Sequence, residues 1–180
     1  MIWGYILIFI ILFPLALWNI ATFVGLLRAK WVPFVPLTKK QLALVQKYIK
    51  LEEKDYVVDL GCGDGRVLRL FEKQGVRKLE GYEINFWAYL KAQVINSLVK
   101  SRSRVIYKNF NRINLEKYNV VFCYLLEDCL SSLRKKFDKE LKPGTKVISF
   151  AFAIKEWGEP EIIYTNETNK NLSRIFIYHI

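Results

Sequence analysis

Residues 57–67 read V-V-D-L-G-C-G-D-G-R-V: an apolar run ends in a glycine loop that carries two acids, and a helical pattern begins. Closely spaced glycines between a strand and a helix let backbone N–H groups approach a ligand at the helix N-terminus, the opening of a βαβ nucleotide-binding unit. A dinucleotide site has the spacing G-x-G-x-x-G. Here Gly61, Gly63 and Gly65 alternate, with Asp59 before them and Asp64 among them. Two carboxylates beside a helix N-terminus repel a pyrophosphate, by several kcal/mol where like charges lie close in a partly buried loop.

A cationic ligand reverses that sign. S-adenosylmethionine carries a sulfonium and an ammonium, and an acidic glycine loop can hold both while admitting the adenosine. The rest of the unit agrees. The helix Val67 to Lys73 and a turn at Gly75 lead to a strand, Lys78 to Tyr82, that ends at Glu83. This is the interval at which a doubly wound fold places its ribose-binding acid. Loop, strand and terminal acid together favour a methyl donor over a dinucleotide.

With 180 residues and 52% hydrophobic content, the chain is long enough for one domain and an appendage. Its net charge of +11 is unevenly placed: Arg28, Lys30, Lys39, Lys40, Lys47 and Lys50 precede the first acid, Glu52. Basic charge beside an apolar N-terminus points to anionic lipid headgroups before nucleic acid. Cys62, Cys123 and Cys129 lack C-x-x-C spacing and His179 is the single histidine, so no metal site is expected.

Ile2 to Leu27 contains no charged side chain, and sixteen of its residues are Ile, Leu, Phe or Val. As a helix it would be about 39 Å long, against a hydrocarbon core of about 30 Å. Residues 1–28 are therefore expected to form a transmembrane helix, kinked at Pro14. A cleaved signal peptide is the competing reading, but it needs a basic n-region and a small-residue cleavage site. Basic residues on the C-terminal side place the N-terminus outside and the rest of the chain in the cytoplasm. Residues 29–50 read as a connector and a helix. Pro33 and Pro36 keep W-V-P-F-V-P-L-T extended, and Thr38 with Gln41 forms a capping box. This segment either packs as a plain linker or folds over the ligand pocket.

Residues 51–180 alternate strands and helices. Strands are expected at Asp55 to Asp59, Lys78 to Tyr82, Arg104 to Phe110, Tyr118 to Leu125 and Lys146 to Ala153, and helices at Phe86 to Val99 and Leu130 to Leu141. In the first of these two helices Trp87, Leu90, Val94 and Leu98 stand at helical spacing, which predicts a core face. Glu161 to Thr165 and Arg174 to Ile180 form an antiparallel hairpin. The fold class is α/β: a Rossmann-like, doubly wound, mostly parallel seven-stranded sheet ending in that hairpin and preceded by the transmembrane helix.

D-L-G-C-G-D-G-R, then G-Y-E-I-N, Y-N-V-V-F-C-Y and L-K-P-G-T-K-V-I-S resemble the class I, seven-strand S-adenosylmethionine methyltransferases. With W-V-P-F-V-P and the apolar N-terminus, the chain is most similar to the membrane-associated protein-lysine methyltransferases that modify the ATP synthase c-subunit and the adenine nucleotide translocase, and to their prokaryotic relatives. The resemblance covers about Trp31 to Thr165. It implies that Asp59, Gly61 and Gly63 surround the methionine part of the cofactor, that Glu83 binds both ribose hydroxyls, and that Ile84 packs on the adenine. Asn109 stands where such enzymes commonly place an acid against the adenine amino group, and its carbonyl oxygen can accept the same hydrogen bond. Cys62, Asp64, Phe110 and Thr38 complete the implied cofactor site.

Base- and glutamine-methylating enzymes often carry D/N-P-P-Y after the fourth strand. Cys123-Tyr124-Leu125-Leu126-Glu127 stands there instead, which argues against those acceptors. A lysine acceptor must lose its proton, because its reference pKa is about 10.4, and Tyr124 and Glu127 are the candidates to assist. Each has a plainer reading, as a core aromatic and as an acid at a helix N-terminus. The expected partners are the lipid bilayer and a membrane-protein substrate, with no nucleic acid. The alternatives are a lipid, quinone-precursor or RNA acceptor, and a non-catalytic adaptor that binds the cofactor.

Overall fold

The apolar run that opens the nucleotide unit forms the central strand β1 (Tyr56–Leu60), and its side chains alternate between two cores. In the computed structural model, which describes residues 6, 8–10, 12–16, 19, 35–165 and 174–180, the remaining elements follow in order. These are β2 (Lys78–Glu83), β3 (Arg104–Tyr107), β4 (Val120–Cys123), β5 (Lys146–Phe150), β6 (Glu161–Tyr164) and β7 (Arg174–His179). The helices are α1 (Lys39–Tyr48), α2 (Arg66–Lys73), α3 (Phe86–Leu98) and α4 (Glu127–Glu140). The sheet order is β3-β2-β1-β4-β5-β7-β6. The first five strands pair in parallel, and β7 lies antiparallel between β5 and β6.

Side chains of α1, α2 and α3, among them Val45, Leu68, Phe71 and Ala92, share one core with Val57, Phe122, Ile148 and Phe150 of the sheet. Leu130, Leu133 and Phe137 of α4 share the other with Val58, Leu60, Val121 and Val147. Phe71, Phe122, Phe137 and Phe150 are fully buried, each contributing about 1.5–3 kcal/mol of burial. Because β1 and β4 send their chains to opposite faces, a crevice opens beyond their carboxyl ends.

Several boundaries differ from expectation for local reasons. β3 stops at Tyr107 because the Asn109 side chain accepts from Asn111 N at 2.9 Å and starts a short 3₁₀ turn, Phe110–Arg112. β4 stops at Cys123 because Leu126 caps α4, so that Glu127 is the first helical residue. The larger correction concerns α3. Its buried face is Ala88, Ala92 and Asn96, whereas Leu90, Val94 and Leu98 are 40%, 53% and 78% exposed. Small residues are needed on the inner face because α3 packs close to the glycine loop: a Cβ added at Gly65 would meet that of Ala92 at 3.7 Å.

The expected single-pass membrane placement is also corrected. Among the described residues no helix is long and apolar enough to cross a membrane. The described residues of that stretch are helical at 6, 8–10, 12–16 and 19, and the rest of the expected span lies outside the described residues. The bilayer as a partner therefore stands on the sequence alone. Residues 31–34 of the connector and 166–173 between β6 and β7 also lie outside the described residues.

Candidate functional site

The glycine loop turns back on itself at the carboxyl end of β1. Gly61, Gly63 and Gly65 all take φ between 56° and 79°, a left-handed conformation that side chains disfavour. Tyr82 O accepts from Gly61 N and Cys62 N at 2.9 and 3.2 Å, tying the loop to β2. Space over the loop is limited. A Cβ at Gly61 would stand 3.0 Å from Leu125 Cδ2 and 4.0 Å from Phe110 Cε1, so the loops after β3 and β4 both close on this point. Cys62 is buried and packs against Gly81.

Glu83, at the end of β2, is buried, and its carboxylate is held by backbone donors. Oε2 accepts from Gly63 N at 2.8 Å, and Oε1 accepts from Ile84 N at 2.8 Å and Asn85 N at 2.6 Å. Burial pushes its pKa up, and the N–H groups of Asn85, Gly63 and Ile84 pull it back. Of about four acceptor directions on a carboxylate, three are taken, and the free one is on Oε2. Asp59 is buried and accepts no hydrogen bond from a described residue. Burial first, and the neighbouring charge of Glu83 second, raise its pKa well above the usual carboxylate range.

Asp64 behaves differently. Arg66 donates to it through Nε and Nη2 at 2.8 and 2.6 Å, and Lys91 Nζ lies 3.1 Å away. Burial alone would raise its pKa, but these two cations hold it at about 2. The charge argument therefore shifts by one residue. Asp64 is neutralised, and the acids left without a basic partner among the described residues of the cradle are Asp59 and Glu83. Arg66 follows Asp64 by two positions and is legible locally. Lys91 is 27 residues away, and no local pattern announces it.

The remaining candidates are dispersed. Thr38 caps α1: its Oγ1 accepts from Gln41 N at 3.3 Å, and Thr38 N donates to Gln41 Oε1 at 2.8 Å. Asn109 spends its carbonyl oxygen on Asn111. Ile84 is half-buried beside Glu83. Tyr124 is half-buried at the end of β4, its ring edge-on to Phe150 at 5.6 Å. Glu127 opens α4 and pairs with Lys155 at 2.7 Å. Leu125, which sequence reasoning did not single out, covers Gly61 more closely than any of them.

The cradle thus combines a glycine loop that carries no side chain at Gly61, Gly63 and Gly65, one free carboxylate direction on Glu83 and, in Asp59, a buried acid without a basic partner among the described residues. It suits a ligand that is hydroxylated at one end and cationic at the other.

Comparison with known proteins agrees. The ANTKMT methyltransferase domain profile matches residues 59–161. A protein-lysine N-methyltransferase of Saccharolobus islandicus is 34% identical over 152 residues, which are 83% of this chain and 94% of that protein. The lysine N-methyltransferase of the ATP synthase c-subunit from Mus musculus is 29% identical over 133 residues, 73% of this chain and 53% of that one. An RNA methyltransferase from Salinibacter ruber, solved with S-adenosyl-L-homocysteine, superposes with a TM-score of 0.71 at 24% identity, over 81% of this chain and 94% of that chain. At that identity the superposition speaks to the fold.

Proposed function

We propose, from the premise that this chain belongs to the ANTKMT methyltransferase-domain family, that its acceptor is a lysine side chain on a membrane protein. The chain is an S-adenosylmethionine-dependent methyltransferase. The observation that carries the cationic methyl donor is the pair of acids at the glycine loop, Asp59 and Glu83, without a basic partner among the described residues. The lysine acceptor is supported by the two relatives, each a lysine N-methyltransferase by name.

The bound cofactor supplies an electrophilic methyl group on sulfur. The residues of this chain do the rest. Glu83 accepts a ribose hydroxyl on its free Oε2 direction, and the Gly61–Gly65 backbone admits the ligand where side chains could not. Asp59, desolvated already, favours the ligand's ammonium. Asn109 and Phe110 border the adenine side, and Ile84 packs there. Catalysis of an in-line displacement is mainly alignment and exclusion of water. The acceptor nitrogen forms its bond to carbon as the carbon–sulfur bond breaks and the electron pair stays on sulfur. The amine must first lose a proton, to Glu127 at the mouth or to water, while Tyr124 there can orient the amine through a hydrogen bond.

The test is to incubate the purified chain with isotopically labelled S-adenosylmethionine and, separately, membranes, soluble protein and RNA from its own cells. Label on lysines of membrane proteins, located by mass spectrometry, is the expected result. Label confined to RNA or to small molecules overturns the reading.

A further inference from the structure

Arg66, the first residue of α2, reaches in two directions. Its Nε and Nη2 donate side by side to the two oxygens of Asp64, and its Nη1 donates to Leu37 O at 2.6 Å. Leu37 is buried in the core shared by α1 and α2, whereas Val35 is 59% exposed. The connector is therefore pinned at one apolar side chain and one carbonyl before the chain enters α1. On the other side, Asp64 lies between Gly63 and Gly65, and Gly63 N donates to Glu83. A continuous path runs from Leu37 O through Arg66, Asp64 and Gly63 N to the ribose-side acid.

Charge alone does not call for an arginine here, because Lys91 also contacts Asp64. What a guanidinium adds is geometry. Two parallel N–H groups fix it on the carboxylate and a third points elsewhere, which an ammonium on a flexible stem cannot reproduce. Asp64 O in turn accepts from Arg69 Nη1 at 2.7 Å, and Arg69 is tied to Asn96 of α3 at 2.8 Å. The loop is thus braced from the α3 side independently of Arg66, and the Arg66 contact to Leu37 is specific to the connector.

We propose that Arg66 is a positioning residue that couples docking of the connector, residues 35–38, to the cofactor-binding shape of the glycine loop. The inference rests on the cradle's binding S-adenosylmethionine and is independent of the acceptor. Coupling is reciprocal: the factor by which the docked connector tightens the cofactor equals the factor by which the cofactor tightens the connector.

The experiment measures S-adenosylmethionine affinity by calorimetry, and amide exchange across residues 35–42 with and without the cofactor, in the full chain and in Arg66→Lys. In the unaltered chain the cofactor slows exchange across that segment. Arg66→Lys weakens cofactor binding about tenfold, the scale of one charge-assisted hydrogen bond. At saturating cofactor it abolishes the extra protection at 35–42 and leaves that at 61–65. An unchanged affinity, or protection of 35–42 that persists in Arg66→Lys, overturns the proposal. So does absence of cofactor-dependent protection in the unaltered chain. Asp64→Asn, which breaks the same path from the loop side, gives the same readouts should Arg66→Lys fail to fold. A chain that shows the coupling yet methylates no lysine would sink the acceptor reading and leave this one standing.

Discussion

Asp59 is a carboxylate withdrawn from water with no base paired to it among the described residues, and its protonation reports on what the cradle holds. Its pKa is raised from the reference 3.8 by burial and by Glu83. The stability linked to this group is therefore fully present below the unfolded pKa and lost as pH rises through the folded one. A bound ammonium lowers the folded value again, so cofactor binding releases protons in the window between the two values. Calorimetric titrations in buffers of different ionisation enthalpy should show that release, and Asp59→Asn should abolish it and weaken binding about tenfold. Binding with no proton release would mean that Asp59 is ionised and paired before the ligand arrives.

At the scale of single elements, the sequence was most legible where chemistry is local. The glycine loop, the Glu83 terminus and the Thr38 capping box all follow from residues within a few positions of one another. Legibility fails where packing decides. The spacing of Leu90, Val94 and Leu98 reads as a core face, yet α3 turns Ala88, Ala92 and Asn96 inward, since helical periodicity reports a stripe and not which stripe is buried. Leu98→Ser should accordingly change stability by no more than about 0.5 kcal/mol, a shift of about 2 °C or less in Tm. A loss of several degrees would restore Leu98 to the core. The opposite expectation holds at Gly81 of β2. A Cβ there would meet Cys62 Cβ and Sγ at 2.6 Å and Leu68 Cδ1 at 2.7 Å. Gly81→Ala should cost about 1–3 kcal/mol by overpacking, read as a lowered urea midpoint, and pairing it with Cys62→Ala should recover part of the loss.

Across the whole molecule the alternation of strands and helices made the parallel half of the sheet readable, and the terminal hairpin as well. Nothing local to Arg174–His179 announces that the last strand slots between β5 and β6, because that placement is set by pairing with residues far away in sequence. The consequence reaches the mouth of the site. Tyr178, on β7, sends its hydroxyl to the segment that follows β5, where it accepts from Ile154 N at 2.8 Å. The chain leaves β5 through Ala151, a non-glycine residue at φ 76° whose N–H donates to Arg174 O at 2.8 Å. The final strand therefore braces residues 151–154, beyond the carboxyl end of β5, while the cofactor cradle is built from β1 and β2. Tyr178→Phe leaves a buried N–H without its partner, a cost of about 1–3 kcal/mol, or roughly 2–12 °C in Tm. S-adenosylmethionine affinity should stay within about twofold of the unaltered chain, since Tyr178 bonds Ile154 and no residue of the cradle. Methyl transfer at saturating cofactor should fall as the mouth loosens, and a parallel loss of cofactor affinity would show instead that the two halves of the sheet act as one site.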